Sequence, residues 1–151
     1  DIWAVNINHV MQHPLFGSGP GGYAVYYMTY NPTTARSTHN NYFDVLAQNG
    51  VIGLIAFVVM MGSFVVTGLK TVRRLNAQAG VGRGKPMAFA AASLAVTFSA
   101  LVAMALGDWM LPFAYNPTLT GIDSAIFAWL MMGGMVALHR MAFQHPEVLN
   151  A

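Results

Sequence analysis

The sequence predicts an all-α integral membrane protein, in which three C-terminal transmembrane helices follow an extracytoplasmic loop that carries short interfacial helices. Its composition is the first reason. Of its 151 residues, 56% are hydrophobic and only 8% are charged, whereas about a quarter of a soluble domain is charged. So few charged side chains cannot cover a soluble surface, and lipid is therefore the expected neighbour of the excess apolar area.

Three apolar stretches are the second reason, because each is close to the roughly 20 residues that a bilayer-spanning helix needs. They comprise residues 51–69, 87–107 and 122–138. The first two carry no charge, and the third is the weakest because Asp123 lies at its edge. We expect all three to cross the membrane, which makes 51–138 the transmembrane region.

The distribution of basic residues predicts the orientation. Five of the seven Lys and Arg residues lie between the first two spans, namely Lys70, Arg73, Arg74, Arg83 and Lys85. Since cytoplasmic loops are enriched in Lys and Arg, we place the loop 70–86 and the tail 139–151 in the cytoplasm and residues 1–50 outside. The segment 108–121 has no Lys or Arg and is then also outside, with an aromatic belt of Trp109, Phe113 and Tyr115.

The chain begins with Asp1, and its first residues have neither the basic nor the apolar region of a signal peptide. We therefore expect an earlier part of the protein to precede it and to complete a larger helical bundle. There is no cysteine, which excludes a disulfide framework and any thiolate nucleophile or metal ligand.

Two short helices are predicted within residues 1–50. Apolar residues at helical spacing favour an interfacial helix over 1–12, which His13 and Pro14 end. A second helix is predicted from Thr38, with Thr38 or Ser37 as its N-cap, because apolar residues recur at Tyr42, Phe43, Leu46 and Ala47. Gly50 and Gly53 then join it to the first span.

The run of residues 17–22 has the spacing G-x-G-x-x-G of a dinucleotide-binding loop. That loop needs a buried strand before it and a helix after it, and the flanking residues predict neither. We therefore expect a tight turn that requires positive φ. Backbone N–H groups in such a turn can also line an anion site, which makes Gly17 and Gly19 candidate substrate-binding residues.

Two histidines raise the question of a metal site. His9 and His13 are four residues apart and share a helix face, as paired metal ligands do, and His39 could supply a third nitrogen. No Glu accompanies them in an H-E-x-x-H pattern. We therefore expect two polar interfacial residues and no metal.

His39 has a local setting that suggests chemistry. If Thr38 caps the second helix, His39 lies in its first turn, where the helix dipole disfavours positive charge and keeps the imidazole neutral. A neutral imidazole accepts a proton, and Arg36, three residues upstream, together with the helix end offers an anion site. The alternative is a capping or surface histidine.

At these residues the sequence resembles the C-terminal part of the O-antigen ligase and polymerase family. That family has a His-Asn dipeptide, nine residues and then a glycine that opens a membrane helix, as at His39-Asn40 and Gly50. His13-Pro14-Leu15-Phe16-Gly17-Ser18-Gly19-Pro20-Gly21 resembles its "hPlfGvGpG" segment, and Leu106-Gly107-Asp108-Trp109 is similar to its "GlvD" turn. The resemblance covers residues 3–138, although Asn41 matches a loosely constrained position.

The resemblance implies transfer of a glycan from an undecaprenyl-diphosphate carrier to a sugar hydroxyl or lipid-A-core acceptor, at the outer face of the bacterial cytoplasmic membrane. It implies no metal, cofactor or nucleotide sugar, and we expect no nucleic-acid partner. His39 would be the general base and Arg36 would neutralise the leaving diphosphate. Asn40 would orient the substrate. Asp108 would hydrogen-bond His39 or an acceptor hydroxyl, the alternative being a helix-end residue that faces water.

Three functions stay open on this evidence. A ligase joins a finished glycan to its acceptor, and a polymerase of the same family adds repeat units. A transport-associated membrane protein of the same fold would have no enzymatic role. The family also grips its donor with arginines of an earlier loop, which this chain does not contain, so we expect the missing N-terminal part to be a partner.

Overall fold

The computed structural model describes residues 2–34, 36–77, 84–111 and 120–149. Over these ranges its regular secondary structure is all helical, which confirms the predicted fold class. The helices are α1 (Ile2–Gln12), α2 (Gly22–Met28), α3 (Asn41–Ala77), α4 (Gly84–Ala103), α5 (Thr120–Gln144) and a 3-10 helix, Pro146–Leu149.

Three of these helices are long and apolar enough to cross a membrane, namely Asn41–Ala77, Gly84–Ala103 and the part Ala125–Gln144 of α5. Large apolar side chains stand exposed along them, among them Ile55, Val59, Val102, Phe127 and Leu130. A protein in water does not expose apolar area on this scale. The exposed faces therefore suit a lipid environment.

The chain forms two compact units. The first comprises Asp1–Val59 and Val102–Ala125, and the second comprises Met60–Leu101 and Ile126–Ala151. The predicted division at residues 50 and 138 stays a prediction. Arg83, Phe113 and Tyr115, which supported the predicted orientation, lie outside the described residues.

In the first unit, α1 agrees with the predicted helix. Its buried face is polar and its exposed face is apolar. It buries Asn6 and His9, while Ile7 is 52% exposed and Met11 is 74% exposed. The buried face packs on α2, where the His9 ring lies 4.4 Å from the Tyr26 ring and 5.9 Å from the Tyr23 ring. An apolar outer face is typical of a helix that lies in a membrane interface.

Helix α3 is interrupted at Gly50, where the sequence predicts a joint. Gly50 has φ 66° and ψ −169°. A Cβ at this position would lie 2.2 Å from the carbonyl oxygen of Leu15, and the next residue, Val51, donates its N–H to Pro14 O at 2.9 Å. Only glycine fits both the positive φ and this close approach. Gly53 lies within the helix.

The other two apolar helices differ from their predicted limits. Helix α4 ends at Ala103, four residues before the end of the predicted span 87–107. Asp108 consequently lies in an irregular segment beyond the helix. Helix α5 continues through His139 to Gln144, so His139 is helical and its Nδ1 lies 2.9 Å from Thr71 Oγ1.

The second unit has an apolar core made by α3, α4 and α5. Its buried members are Leu75, Ala90, Met135, Leu138 and Ala142. Small residues allow close helix contact here, because a Cβ on Gly68 would lie 2.8 Å from Leu94 Cδ1 and a Cβ on Gly134 would lie 2.6 Å from Phe89 Cζ. Such packing by small residues is common between membrane helices.

Candidate functional site

The start of α3 is capped by Asn40, one residue before the helix. Asn40 Oδ1 accepts hydrogen bonds from the backbone N–H of Tyr42 at 3.0 Å and of Phe43 at 3.3 Å. This is the geometry of an N-cap, which satisfies two of the unpaired N–H groups of a helix start. The prediction that Thr38 or Ser37 caps the helix was therefore wrong.

His39 lies outside the helix, just before the cap. Its φ is 52°, in the left-handed region that non-glycine residues adopt only occasionally. His39 therefore does not lie in the first helical turn, and that prediction was wrong. The side chain is 64% exposed, so the imidazole is accessible to a substrate.

Ser37 and Asp108 orient the His39 ring. The Ser37 hydroxyl donates its hydrogen to Asp108 Oδ2. It therefore acts as an acceptor for the His39 backbone N–H at 3.1 Å and for His39 Nδ1 at 3.3 Å. Asp108 Oδ2 itself lies 3.6 Å from His39 Nδ1.

These contacts select one tautomer of His39. Because the acceptors face Nδ1, the hydrogen lies on Nδ1 and the lone pair on Nε2. Within the described parts of the chain, no hydrogen-bond partner of His39 Nε2 is observed. His39 therefore presents Nε2 as a proton acceptor, while the Asp108 carboxylate on the Nδ1 side orients the ring. Histidines of catalytic triads are oriented in the same way.

Asn41 holds the segment that carries Asp108. It is completely buried. Its backbone N–H donates to Met104 O at 2.8 Å, its Nδ2 donates to Leu111 O at 3.1 Å, and its Oδ1 accepts from the N–H of Met110 at 3.0 Å. Sequence reasoning missed this residue. The repeated Asn after His39 was the one available signal.

Asn40 makes a parallel contact with the same segment. Its Nδ2 donates to Ala105 O at 3.1 Å, while Oδ1 caps the helix, and only 9% of the residue is exposed. Both ends of its amide are thus used within the chain. These bonds give Asn40 a structural task, and its predicted contact with substrate stays a prediction.

Asp44 anchors the turn that precedes His39. Asp44 Oδ1 accepts the Thr38 backbone N–H at 3.1 Å and lies 2.9 Å from Thr38 Oγ1. The Asp44 residue is 4% exposed and Thr38 is 1% exposed. On the other side, Trp3 Nε1 donates to Thr38 O at 3.0 Å. Helices α1 and α3 therefore fix both backbone groups of Thr38.

Arg36 is exposed, three residues before His39. Among the described residues it has neither a hydrogen bond nor an ion pair. Its guanidinium is thus available to an anionic ligand, the use that was predicted for it. A planar guanidinium binds phosphate oxygens through paired hydrogen bonds.

The glycine-rich turn is tied to the end of the first part of α3. Gly17, Gly19 and Gly21 all have positive φ, as predicted. The N–H of Ser18 donates to Ala47 O at 3.0 Å, and the N–H of Gly19 donates to Gln48 O at 2.9 Å. A Cβ on Gly17 would lie 2.4 Å from the Gln48 backbone, so the turn packs directly against the chain that precedes Gly50.

These bonds weaken the two ligand-binding interpretations of the turn. The N–H of Gly17 donates to His13 O at 3.0 Å, so the N–H groups that would have lined an anion site are bonded within the protein. Helix α2 does follow the turn, contrary to expectation, but α1 precedes it where a dinucleotide-binding loop has a strand. Substrate binding by Gly17 and Gly19 stays a prediction.

His9 belongs to the packing of this turn. Its Nε2 lies 2.7 Å from Ser18 Oγ, whose hydroxyl donates to Ala47 O at 3.2 Å. Burial, and to a smaller extent the neighbouring His13, lowers the pKa of His9, which favours a neutral ring. No group of three His, Cys, Asp or Glu side chains suited to a metal is found in the described part of the chain.

Comparison with known proteins bears on the first unit. Residues 1–58 match the family model described as O-antigen ligase. This match confirms the family resemblance over those residues. They include the glycine-rich turn, Arg36, His39 and the first part of α3, whereas Asp108 lies beyond the matched region.

Searches of curated proteins and of solved structures find no significant match. The three apolar helices indicate a multi-pass membrane protein, and residues 1–58 of the chain are similar to the O-antigen ligase family.

Proposed function

We propose that this chain activates the acceptor in the transfer of a glycan from an undecaprenyl-diphosphate carrier to a sugar hydroxyl, as an O-antigen ligase does. The observation that carries the proposal is His39, whose Nδ1 faces Ser37 and Asp108 while its side chain is 64% exposed. The same residue lies within the segment that matches the O-antigen ligase family.

The proposed step is a displacement at the anomeric carbon of the donor sugar. His39 Nε2 takes the proton of the acceptor hydroxyl while its oxygen bonds to the anomeric carbon. The bond from that carbon to the diphosphate oxygen breaks, and the electron pair leaves with undecaprenyl diphosphate. Arg36 neutralises the charge that develops on the diphosphate, and Asp108 stabilises the imidazolium that forms on His39. No metal is required for the step.

We place this site at the outer face of the bacterial cytoplasmic membrane. The support is the position of the basic residues, since Lys70, Arg73 and Arg74 lie near the end of α3 and Lys85 at the start of α4. The positive-inside rule assigns that end to the cytoplasm. The start of the apolar part of α3, near Gly50, is then the outer end.

The experiment is a transfer assay with the full-length membrane protein in lipid vesicles, using an undecaprenyl-diphosphate-linked glycan and a lipid-A-core acceptor. We expect His39→Ala to reduce the transfer rate about 10²- to 10⁴-fold, the contribution of a positioned base. His13→Ala is the matched control, because His13 is an exposed histidine in the same unit, and it should transfer at the parental rate.

A second pair of variants tests the donor side. Arg36→Ala should raise the KM for the diphosphate donor more than Arg73→Ala does. Arg73 is the control because it is an exposed arginine near the end of α3. Unchanged transfer after His39→Ala would reject His39 as the base, whereas no transfer by the parent would reject the enzymatic proposal and favour the transport-associated alternative. Products that contain added repeat units, with no transfer to the lipid-A core, would assign the polymerase reaction instead.

A further inference from the structure

Asp44 and Asp108 are held by adjacent residues, because Asp44 Oδ1 accepts the Thr38 N–H at 3.1 Å and Asp108 Oδ2 accepts the Ser37 hydroxyl, and the two carboxyl groups interact electrostatically. Asp108 Oδ1 is buried and has no hydrogen-bond donor among the described residues. A buried acceptor without a donor costs free energy, and two ionised carboxylates in contact repel one another. A single proton shared by the pair removes both problems.

The surroundings of the two residues indicate where that proton lies. The Asp44 residue is only 4% exposed, whereas the Asp108 side chain is 23% exposed and receives the hydrogen of Ser37. Burial disfavours the ionised form, and a donated hydrogen bond favours it. Both effects leave the charge on Asp108 and the proton on Asp44.

We propose that Asp44 is a positioning residue that acts as a protonated acid, donating its hydrogen to Asp108 Oδ1 while it anchors Thr38. The pair then carries one negative charge, which is held on Asp108 towards Ser37 and His39. The proposal rests on the proposed function of His39, because its catalytic consequence is the orientation of that ring.

The anchoring of Thr38 explains why this acid matters for a residue that it does not contact. Asp44 Oδ1 accepts the Thr38 N–H at 3.1 Å, and the next residue, His39, has φ 52°. A turn in this conformation persists when its surroundings hold it. Among the described residues, the Tyr23 phenol also faces Asp44, and it donates to Ile2 O at 3.1 Å and supplies no proton to the pair.

Asp44→Asn is the variant that tests the protonated state. An amide keeps an acceptor oxygen for Thr38 and offers an N–H to Asp108, as a protonated acid does. We expect transfer close to the parental rate. Asp44→Ala removes both contacts, and a displaced His39 should then transfer about 10²-fold more slowly.

The pH profile of transfer separates this role from a merely structural one. In the parent, loss of the shared proton at alkaline pH gives two charged carboxylates, and the rate should fall as the turn loosens. Asp44→Asn has no proton to lose in this range, so that alkaline fall should disappear. An unchanged alkaline fall in Asp44→Asn, or a loss of transfer as large as in Asp44→Ala, would overturn the proposal.

Infrared spectroscopy tests the proton without any assay of transfer. The parent in vesicles at neutral pH should show the C=O stretch of a protonated carboxylic acid, and Asp44→Asn should remove it. Asp123→Asn is the matched control and should leave this band in place. A parent without the band, or a band that only Asp123→Asn removes, contradicts the assignment. If the parent shows the band but no transfer, the proposed function fails while the proton stays assigned.

Discussion

Each of the two compact units of this chain is stabilised internally, and the kind of interaction differs between them. In the first unit, polar side chains fix the segment after α4, as Asn40 bonds to Ala105 and Asn41 bonds to Met110 and Leu111. In the second unit, buried apolar side chains pack together, among them Leu75, Ala90, Met135, Leu138 and Ala142. Hydrogen bonds are directional, whereas apolar packing is not.

This difference explains where chemistry can be placed. A hydrogen-bonded framework fixes the direction of single side chains, and His39 is oriented in this way by Ser37 and Asp108. Buried polar groups cost free energy unless they are paired, so the first unit depends on complete pairing. The second unit is stabilised by apolar packing between helices, so it depends on side chains that fill its core. Substitutions should therefore act differently in the two units.

The largest effect is expected when the polar framework loses Asn41. Asn41→Ala removes the side chain that accepts from the N–H of Met110 and donates to the Leu111 carbonyl. We expect the free energy of unfolding to fall by roughly 3–5 kcal/mol through the loss of these buried hydrogen bonds, and transfer to be lost with the position of Asp108. Thermal unfolding in detergent and the transfer assay measure the two effects.

Asn76→Ala is the control for that change, because Asn76 is an exposed asparagine in the second unit. It should melt and transfer like the parent. Equal melting temperatures for Asn41→Ala and the parent would show that the polar framework does not hold the first unit.

A somewhat smaller effect, confined to stability, is expected in the apolar core. Leu75 is 2% exposed, and Leu75→Ala should lower the free energy of unfolding by about 2–4 kcal/mol through lost contacts and a cavity. Transfer measured below the melting temperature should be unchanged. Leu130→Ala removes the same atoms from a side chain that is 63% exposed and should barely change the melting temperature. A loss of transfer in folded Leu75→Ala would break the proposed division of roles.

The smallest of the three effects is expected at the interruption of α3. Gly50→Ala places a Cβ against the carbonyl of Leu15 at positive φ, and we expect a loss of about 1–3 kcal/mol in the free energy of unfolding. Gly62→Ala is the matched change in the second unit, because a Cβ on Gly62 meets nothing within 4 Å. Alanine is the better helix former, so this variant should be as stable as the parent or more stable. The same melting shift in both variants would mean that the interruption is not required.

The long-range pairing of the site could not be predicted, although several local features could. Three apolar stretches predicted three helices, and the glycine-rich run at residues 17–22 predicted a turn that needs positive φ. The resemblance pointed to His39 and Asp108. The cap was assigned to Thr38 or Ser37, because Thr, Ser and Asn are all good caps and local sequence does not discriminate among adjacent candidates.

By itself, the sequence determined that the chain is helical and apolar enough for a membrane, because composition and the length of apolar runs are local properties. It also determined which residue types were available for proton transfer. Only the tertiary structure decided that Asn41 is buried, that Asp44 anchors Thr38 and that Asp108 faces His39 through Ser37. Asp108 lies 69 residues after His39, and pairs at such separations form when helices pack and buried polar groups must find partners.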